Sequence, residues 1–214
     1  MFTRKLEQLT GLDEKRLSEL KKHSVPGGWD SQESIVVDFK AEMKDKLCKN
    51  QQGKCAYCEL SLATRAPEIE HIAPKGGPKQ PKHVECMFQP LNLVLACRRC
   101  NSPTCKGRKD TVVTKNGSDD YSEWSFRIVH PYLDDPADYF EMNSVDNGEI
   151  GPIPLIKRTA DTAHQIKAQN TIDMFKLNSE EVILELAKQR LAEKMPDQIA
   201  NFIQNISTYR PPIR

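Results

Sequence analysis

Two Cys-x-x-Cys pairs constrain this chain more than any other feature of it. Cys55-x-x-Cys58 and Cys97-x-x-Cys100 supply four thiolates, a full tetrahedral set for zinc, and each pair is short enough for both sulfurs to face one ion. The 38 residues between the pairs exceed what a minimal zinc ribbon needs and leave room for an inserted element. Four sulfur ligands leave no open position on the metal, so the zinc this pattern predicts is structural rather than catalytic. The plainer alternative is four buried cysteines without metal, and the expected compartment weighs against it. No stretch approaches the roughly 18 to 20 apolar residues that span a bilayer. The N-terminal MFTRKLEQLTGLDEKRL lacks the apolar core of a signal peptide. The expected location is therefore cytoplasmic, where thiols stay reduced, and metal ligation is the leading use for the seven cysteines. Cys48, Cys86 and Cys105 have no such partners and read as packing or surface thiols.

The 214 residues suffice for one substantial domain or two small ones, and aromatics at 7% favour a small module with helical flanks over one large sheet. Residues 1–52 read as a helical lead-in, in which Leu6, Leu9, Leu12 and Leu17 can dock on a neighbouring surface. Pro26-Gly27-Gly28 breaks it, and Asp30 and Glu33 have capping-box spacing. Ile35, Phe39, Met43 and Leu47 then fall on one helical face, and Gln51-Gln52-Gly53 ends the helix. Residues 53–110 form the dense core. Apolar runs Ile69 to Ile72 and Leu93 to Ala96 predict two short strands joined by a loop from Pro74 to Pro90, with a short helix starting within Asn101 to Asp110. Residues 111–214 predict a polar linker over 111–120, a strand from Trp124 to Val129 ending at His130-Pro131, and a hairpin turn at Asn147-Gly148. A helical tail follows from Thr159, with a second capping box at Asn178 and Glu181, a break at Pro196 and a last helix to Thr208. The class is α+β.

Between the cysteine pairs lies Glu68-Ile69-Glu70-His71-Ile72. On a strand, Glu68 and Glu70 share one face and His71 takes the other. Alone, a Glu-His dipeptide is usually solvated surface; inside a zinc-clamped loop, followed by Pro74-Lys75, it becomes a candidate site. Around the second pair, Asn92 precedes and Asn101 follows, with Arg98 and Arg99 between the cysteines and Lys106, Arg108 and Lys109 after them. Taken separately, an asparagine is a turn or cap and a basic run is a solvated face. Net charge is only +1, so any nucleic-acid binding must come from local patches or from a partner.

Together, CAYCELSLATRAPEIEHIAPK and NLVLACRRCNSPTCKG resemble the HNH endonuclease motif in its four-cysteine form, over about residues 53 to 109. The lead-in around Trp29, the Ala-Cys-Arg-Arg-Cys-Asn-Ser string and FRIVHPYLDDPADYF further resemble the HNH subunit of Septu-type anti-phage systems, some of which accompany retrons. The resemblance implies a ββα-metal core stapled by the zinc site, flanked by helices at both ends. It implies His71 as general base, Glu70 and Asn101 as ligands of a catalytic divalent ion, and Asn92 as the brace of the loop that orients His71. It also implies an ATPase subunit as partner. Lys106 departs from the pattern, coming five residues after Asn101 where three is common. The chemistry agrees: histidine titrates near neutral pH and can take a proton from water, and a carboxylate with an amide oxygen suits Mg²⁺ or Mn²⁺ as Lewis acid. Lys75, Arg98, Arg99, Lys106, Arg108 and Lys109 are then the candidate phosphate contacts, most of them carrying no sequence information.

The competing readings are a catalytically silent zinc-knuckle module that binds nucleic acid or protein, and a regulatory or assembly subunit dominated by its termini. DNA and RNA, including a tRNA, both remain open as substrates, because the reacting residues attack a phosphodiester and do not report on a 2′-hydroxyl.

Overall fold

The computed structural model describes residues 3–143, 153–157 and 160–194. The lead-in is less helical than its leucines suggest. Only Glu14–Leu20 forms helix α1, capped by the Asp13 carboxylate on the amides of Lys15 and Arg16. Residues 4–10 instead run as irregular chain, tied down where the Leu6 amide bonds the Pro131 carbonyl at 2.8 Å. The left-handed Gly27 (φ 87°) closes Gly28–Asp30 into its own single turn, so the next helix, α2, starts at Ser34 rather than behind Asp30. The Asp30–Glu33 capping box does not form. Helix α2 (Ser34–Asn50) buries Val36, Phe39, Met43 and Leu47, one residue of drift from the expected stripe at its first turn. Gln52 and Gly53, both at positive φ, end it.

Strands β1 (Glu68–His71) and β4 (Leu93–Ala96) pair antiparallel, with Glu68 opposite Ala96 and His71 opposite Leu93. The loop between them holds a two-residue pairing of β2 (Gly76–Gly77) with β3 (Gln80–Pro81). Gln51, from the end of α2, extends the pair as if it were a further strand. Its side-chain oxygen accepts from the Leu95 amide at 2.7 Å and its nitrogen donates to the Leu95 carbonyl at 2.8 Å.

The helix expected within 101–110 does not form; the segment is a run of tight turns. Pro103 explains this, since it lacks an amide hydrogen and pushes its predecessor out of helical geometry. The Lys106 amide reaches back to the Cys100 carbonyl instead, at 3.1 Å. Gly107 (φ 47°) completes the turn, and a Cβ there would lie 2.8 Å from the Pro103 Cα.

The strand expected over Trp124–Val129 shrinks to β6 (Ser125–Phe126), paired with β5 (Val112–Thr114). Strands β7 (Phe140–Asn143) and β8 (Ile153–Ile156) pair antiparallel. The Asn147-Gly148 turn, the Pro196 break and the last helix lie outside the described residues. Helices α3 (Thr162–Phe175) and α4 (Glu180–Lys194) follow; Ser179, not Asn178, stands in front of the second. One apolar core joins Leu6 and Leu20 from the lead-in, the β1–β4 region, and Phe175, Val182 and Leu186 from the tail. No helix among the described residues is long and apolar enough to cross a membrane.

Candidate metal centre and the Glu70–His71 site

The chain brings all four predicted cysteines together. The sulfurs of Cys55, Cys58, Cys97 and Cys100 lie within 4.8 Å of one another, all buried, and Cys58 and Cys97 are 3.8 Å apart. A tetrahedron with Zn–S bonds of about 2.3 Å has edges of about 3.8 Å, the separation of Cys58 and Cys97, so the cluster is placed to take a zinc ion. The Cys97 amide points at the Cys55 sulfur at 3.3 Å, the kind of donor that favours a thiolate. Packed this tightly, the sulfurs split their acidities: hydrogen bonds from Cys100, Cys55 and Cys58 pull Cys97 far down, while bonds to Cys55, Cys58 and Cys97 push Cys100 up. Four thiols competing for protons in one dry pocket are what a 2+ ion relieves, and four sulfurs close its coordination sphere.

The C-terminal helices dock on this centre. Tyr57, inside the first knuckle, stacks on Phe175 with ring centroids 4.0 Å apart. Arg99, inside the second, donates to the Phe175 carbonyl (3.0 Å), the Lys176 carbonyl (3.3 Å) and the Ser179 hydroxyl (3.1 Å), and pairs with Glu181. A guanidinium on the last carbonyls of α3 satisfies acceptors that the helix cannot, so Arg99 is a helix cap and not a free phosphate contact.

His71 closes β1, with its ring buried. Its Nε2 lies 3.0 Å from the Met87 carbonyl. A carbonyl only accepts, so Nε2 carries the proton and Nδ1 presents the lone pair. Nδ1 has no hydrogen-bond partner among the described residues. The Trp29 ring packs edge-on at 4.5 Å and limits rotation of the imidazole. Burial, then the charges of Lys75 and Lys106, push the His71 pKa down to about 3, so the ring is neutral across the physiological range.

Asn92 is fully buried and fully bonded. Its oxygen accepts from the Ala73 amide (2.7 Å) and the Tyr121 hydroxyl (2.8 Å); its nitrogen donates to the carbonyls of Ala73 (3.1 Å) and Cys86 (3.0 Å). The two carbonyls fix which end of the amide is nitrogen. Asn92 thereby ties the chain just after His71 to the chain just before Met87. Behind it, His130 takes the amides of Tyr132 and Leu133 on Nδ1 (3.2 and 3.3 Å) and meets the Tyr121 hydroxyl with Nε2 at 3.1 Å.

Glu70 and Asn101 pair off with different partners. Glu70 is ion-paired to the Lys106 ammonium, which also donates to the His71 carbonyl at 2.7 Å. Asn101 donates to the Glu68 carboxylate at 2.7 Å. The Glu70 carboxylate is thereby occupied by an ammonium, and Asn101 is held to Glu68 through its nitrogen. The cysteine quartet is the one group of three or more His, Cys, Asp or Glu within reach of a single ion among the described residues. Lys106 is fully buried and is therefore no phosphate contact. Lys75 is half-buried, close enough to act on His71, while Arg98, Arg108 and Lys109 are exposed. Trp29, Tyr121, His130 and Gln51 carry site-building roles that no sequence spacing announced.

No protein-family model matches this chain, and no curated protein matches it.

Proposed function

We propose that the chain is a phosphodiester hydrolase acting on nucleic acid, with His71 as general base. The observation that carries this is the fixed tautomer of His71. Its Nε2 hydrogen is held by Met87 and its ring by Trp29, which leaves Nδ1 as the nitrogen that carries the lone pair. Lys75 is the cation whose charge acts most on that imidazole, and it is the candidate for holding a scissile phosphate beside it. Arg98, Arg108 and Lys109 supply further exposed positive charge along the same segment of chain. The zinc this reading requires stays in the cysteine quartet, where it builds the fold. A catalytic Mg²⁺ or Mn²⁺ carries no step here, because the Glu70 carboxylate is already paired with Lys106. The anti-phage role and the ATPase partner extend the reading from the resemblance of the motif strings, and co-purification with an ATPase subunit is their test.

The second reading, a silent zinc-knuckle binding module, is favoured by one observation: Lys106 takes the Glu70 carboxylate out of play. Incubating zinc-loaded protein and its His71→Ala variant with DNA and with RNA, with Mg²⁺ or Mn²⁺ present, separates the two. Cutting by the wild type that falls at least 100-fold in the variant, with zinc content unchanged, supports the hydrolase. Binding without cutting supports the module, and equal cutting by both proteins removes His71 as base.

A further inference from the structure

We propose that the Glu70 carboxylate is permanently balanced by the Lys106 ammonium, which stands where a divalent cation would otherwise sit. The Lys106 side chain has no exposed surface and that of Glu70 has 9%. Two charges buried to this degree persist only as a pair, and each is the other's counter-ion. Lys106 spends one hydrogen on Glu70 and a second on the His71 carbonyl, so it holds both residues of the dipeptide at once.

The arrival of Lys106 is built into the backbone and is not an accident of a long side chain. Its amide is bonded to the carbonyl of the zinc-knuckle residue Cys100 (3.1 Å), and its carbonyl accepts from the Lys109 amide (2.9 Å). Gly107 turns the chain immediately afterwards in a left-handed conformation that leaves no room for a side chain against Pro103. The two extra residues between Asn101 and Lys106 are absorbed in these turns, so the lysine still ends on Glu70. Asn101 is tethered through its side-chain nitrogen to the Glu68 carboxylate, not to Glu70.

A 2+ ion entering at Glu70 would have to share a dry pocket with an ammonium or expel it. Sharing places like charges side by side in a low-dielectric interior. Expulsion would break the Glu70 pair and the bond to the His71 carbonyl together. Neutralising a carboxylate with a single fixed amine satisfies the same charge with neither cost. The role assigned to Lys106 toward Glu70 stands whether or not His71 acts as a base; its bearing on His71 rests on the hydrolase reading.

The test uses the full zinc-loaded chain and Mn²⁺ alone as probe, without nucleic acid, so its outcome is separate from whether the protein cuts. Mn²⁺ binding is followed by electron paramagnetic resonance, and proximity to the site by broadening of the His71 ring signals in NMR. Wild type and Glu70→Gln are expected to bind Mn²⁺ alike, with His71 signals left sharp in both. Lys106→Met is expected to keep its zinc and to gain a Mn²⁺ site that broadens His71 and that vanishes in Lys106→Met/Glu70→Gln. Wild-type protein that binds Mn²⁺ with broadened His71 signals, and loses both effects in Glu70→Gln, overturns the proposal. That comparison needs no lysine variant, so it decides the matter even if Lys106→Met fails to fold.

Discussion

Tyr121 donates its hydroxyl hydrogen to the side-chain oxygen of Asn92 across 2.8 Å, and in doing so connects His130 to the loop that carries His71. His130 accepts two backbone amides on Nδ1, so its Nε2 bears the proton and donates to the Tyr121 oxygen. The chain of donors therefore runs one way, from His130 through Tyr121 to Asn92. Tyr121→Phe leaves the His130 N–H buried without an acceptor. The expected cost is about 2 kcal/mol, or a Tm lower by roughly 4 to 8 °C in a chain of this size, with zinc retained. Asn92→Ala, which frees donors and acceptors at residues 73 and 86 as well, is expected to cost more. Thermal melts of both variants check the order, and a Tyr121→Phe protein as stable as wild type would refute the directional chain.

Cys97→Ser removes one corner of the sulfur tetrahedron. Structural zinc contributes about 10–16 kcal/mol in small sites, comparable to the whole stability of a domain. The variant is expected to lose stoichiometric zinc and the dispersed amide spectrum of the core together. A folded Cys97→Ser chain lacking zinc would show that the four cysteines serve as packing alone.

Arg98 and Arg99 are neighbours with opposite expected phenotypes. Arg99→Ala strips the caps from the end of α3 and the pair to Glu181, so it is expected to destabilise by about 2 kcal/mol. Arg98 is exposed, and Arg98→Ala is expected to leave stability within about 0.5 kcal/mol. If Arg98 meets a phosphate, its loss lowers the salt-dependence slope of nucleic-acid binding by about one. Titrations at several salt concentrations, beside melts, distinguish the two residues.

Acid is expected to destabilise the protein through its buried histidines. The pKa of His71 falls from 6.5 to about 3 on folding, and burial takes His130 well below its ordinary value too. Between those values the unfolded chain binds protons that the folded chain refuses, so stability rises with pH through this window and is lost as pH falls from about 6.5 toward 3. For His71 the loss at pH 5 is about 2 kcal/mol. His71→Gln removes that increment, so the gap between variant and wild type should shift by this amount from pH 7.5 to pH 5. A constant gap in chemical-denaturation midpoints across that range would contradict a depressed His71.

Sequence spacing alone determined the four cysteines as a cluster, the β1 and β4 runs, the apolar face of α2 and the alternation that separates Glu70 from His71. These are local patterns: a Cys-x-x-Cys bend, a period of two and a period near four are written in neighbouring residues. Tertiary structure decided the rest. Whether Lys106 meets solvent or Glu70 depends on how Pro103 and Gly107 route a turn, and a basic run in sequence looks the same in either case. Arg99 became a cap because α3 ends against the second knuckle, 76 residues later in the chain. Asn92, Tyr121 and His130 were brought into one hydrogen-bonded line by the burial of segments that share no sequence pattern, since a buried polar group must find its partner wherever the fold places one. The zinc-knuckle cysteines belong to the sequence; the electrostatic state of Glu70 and His71 belongs to the packing around them.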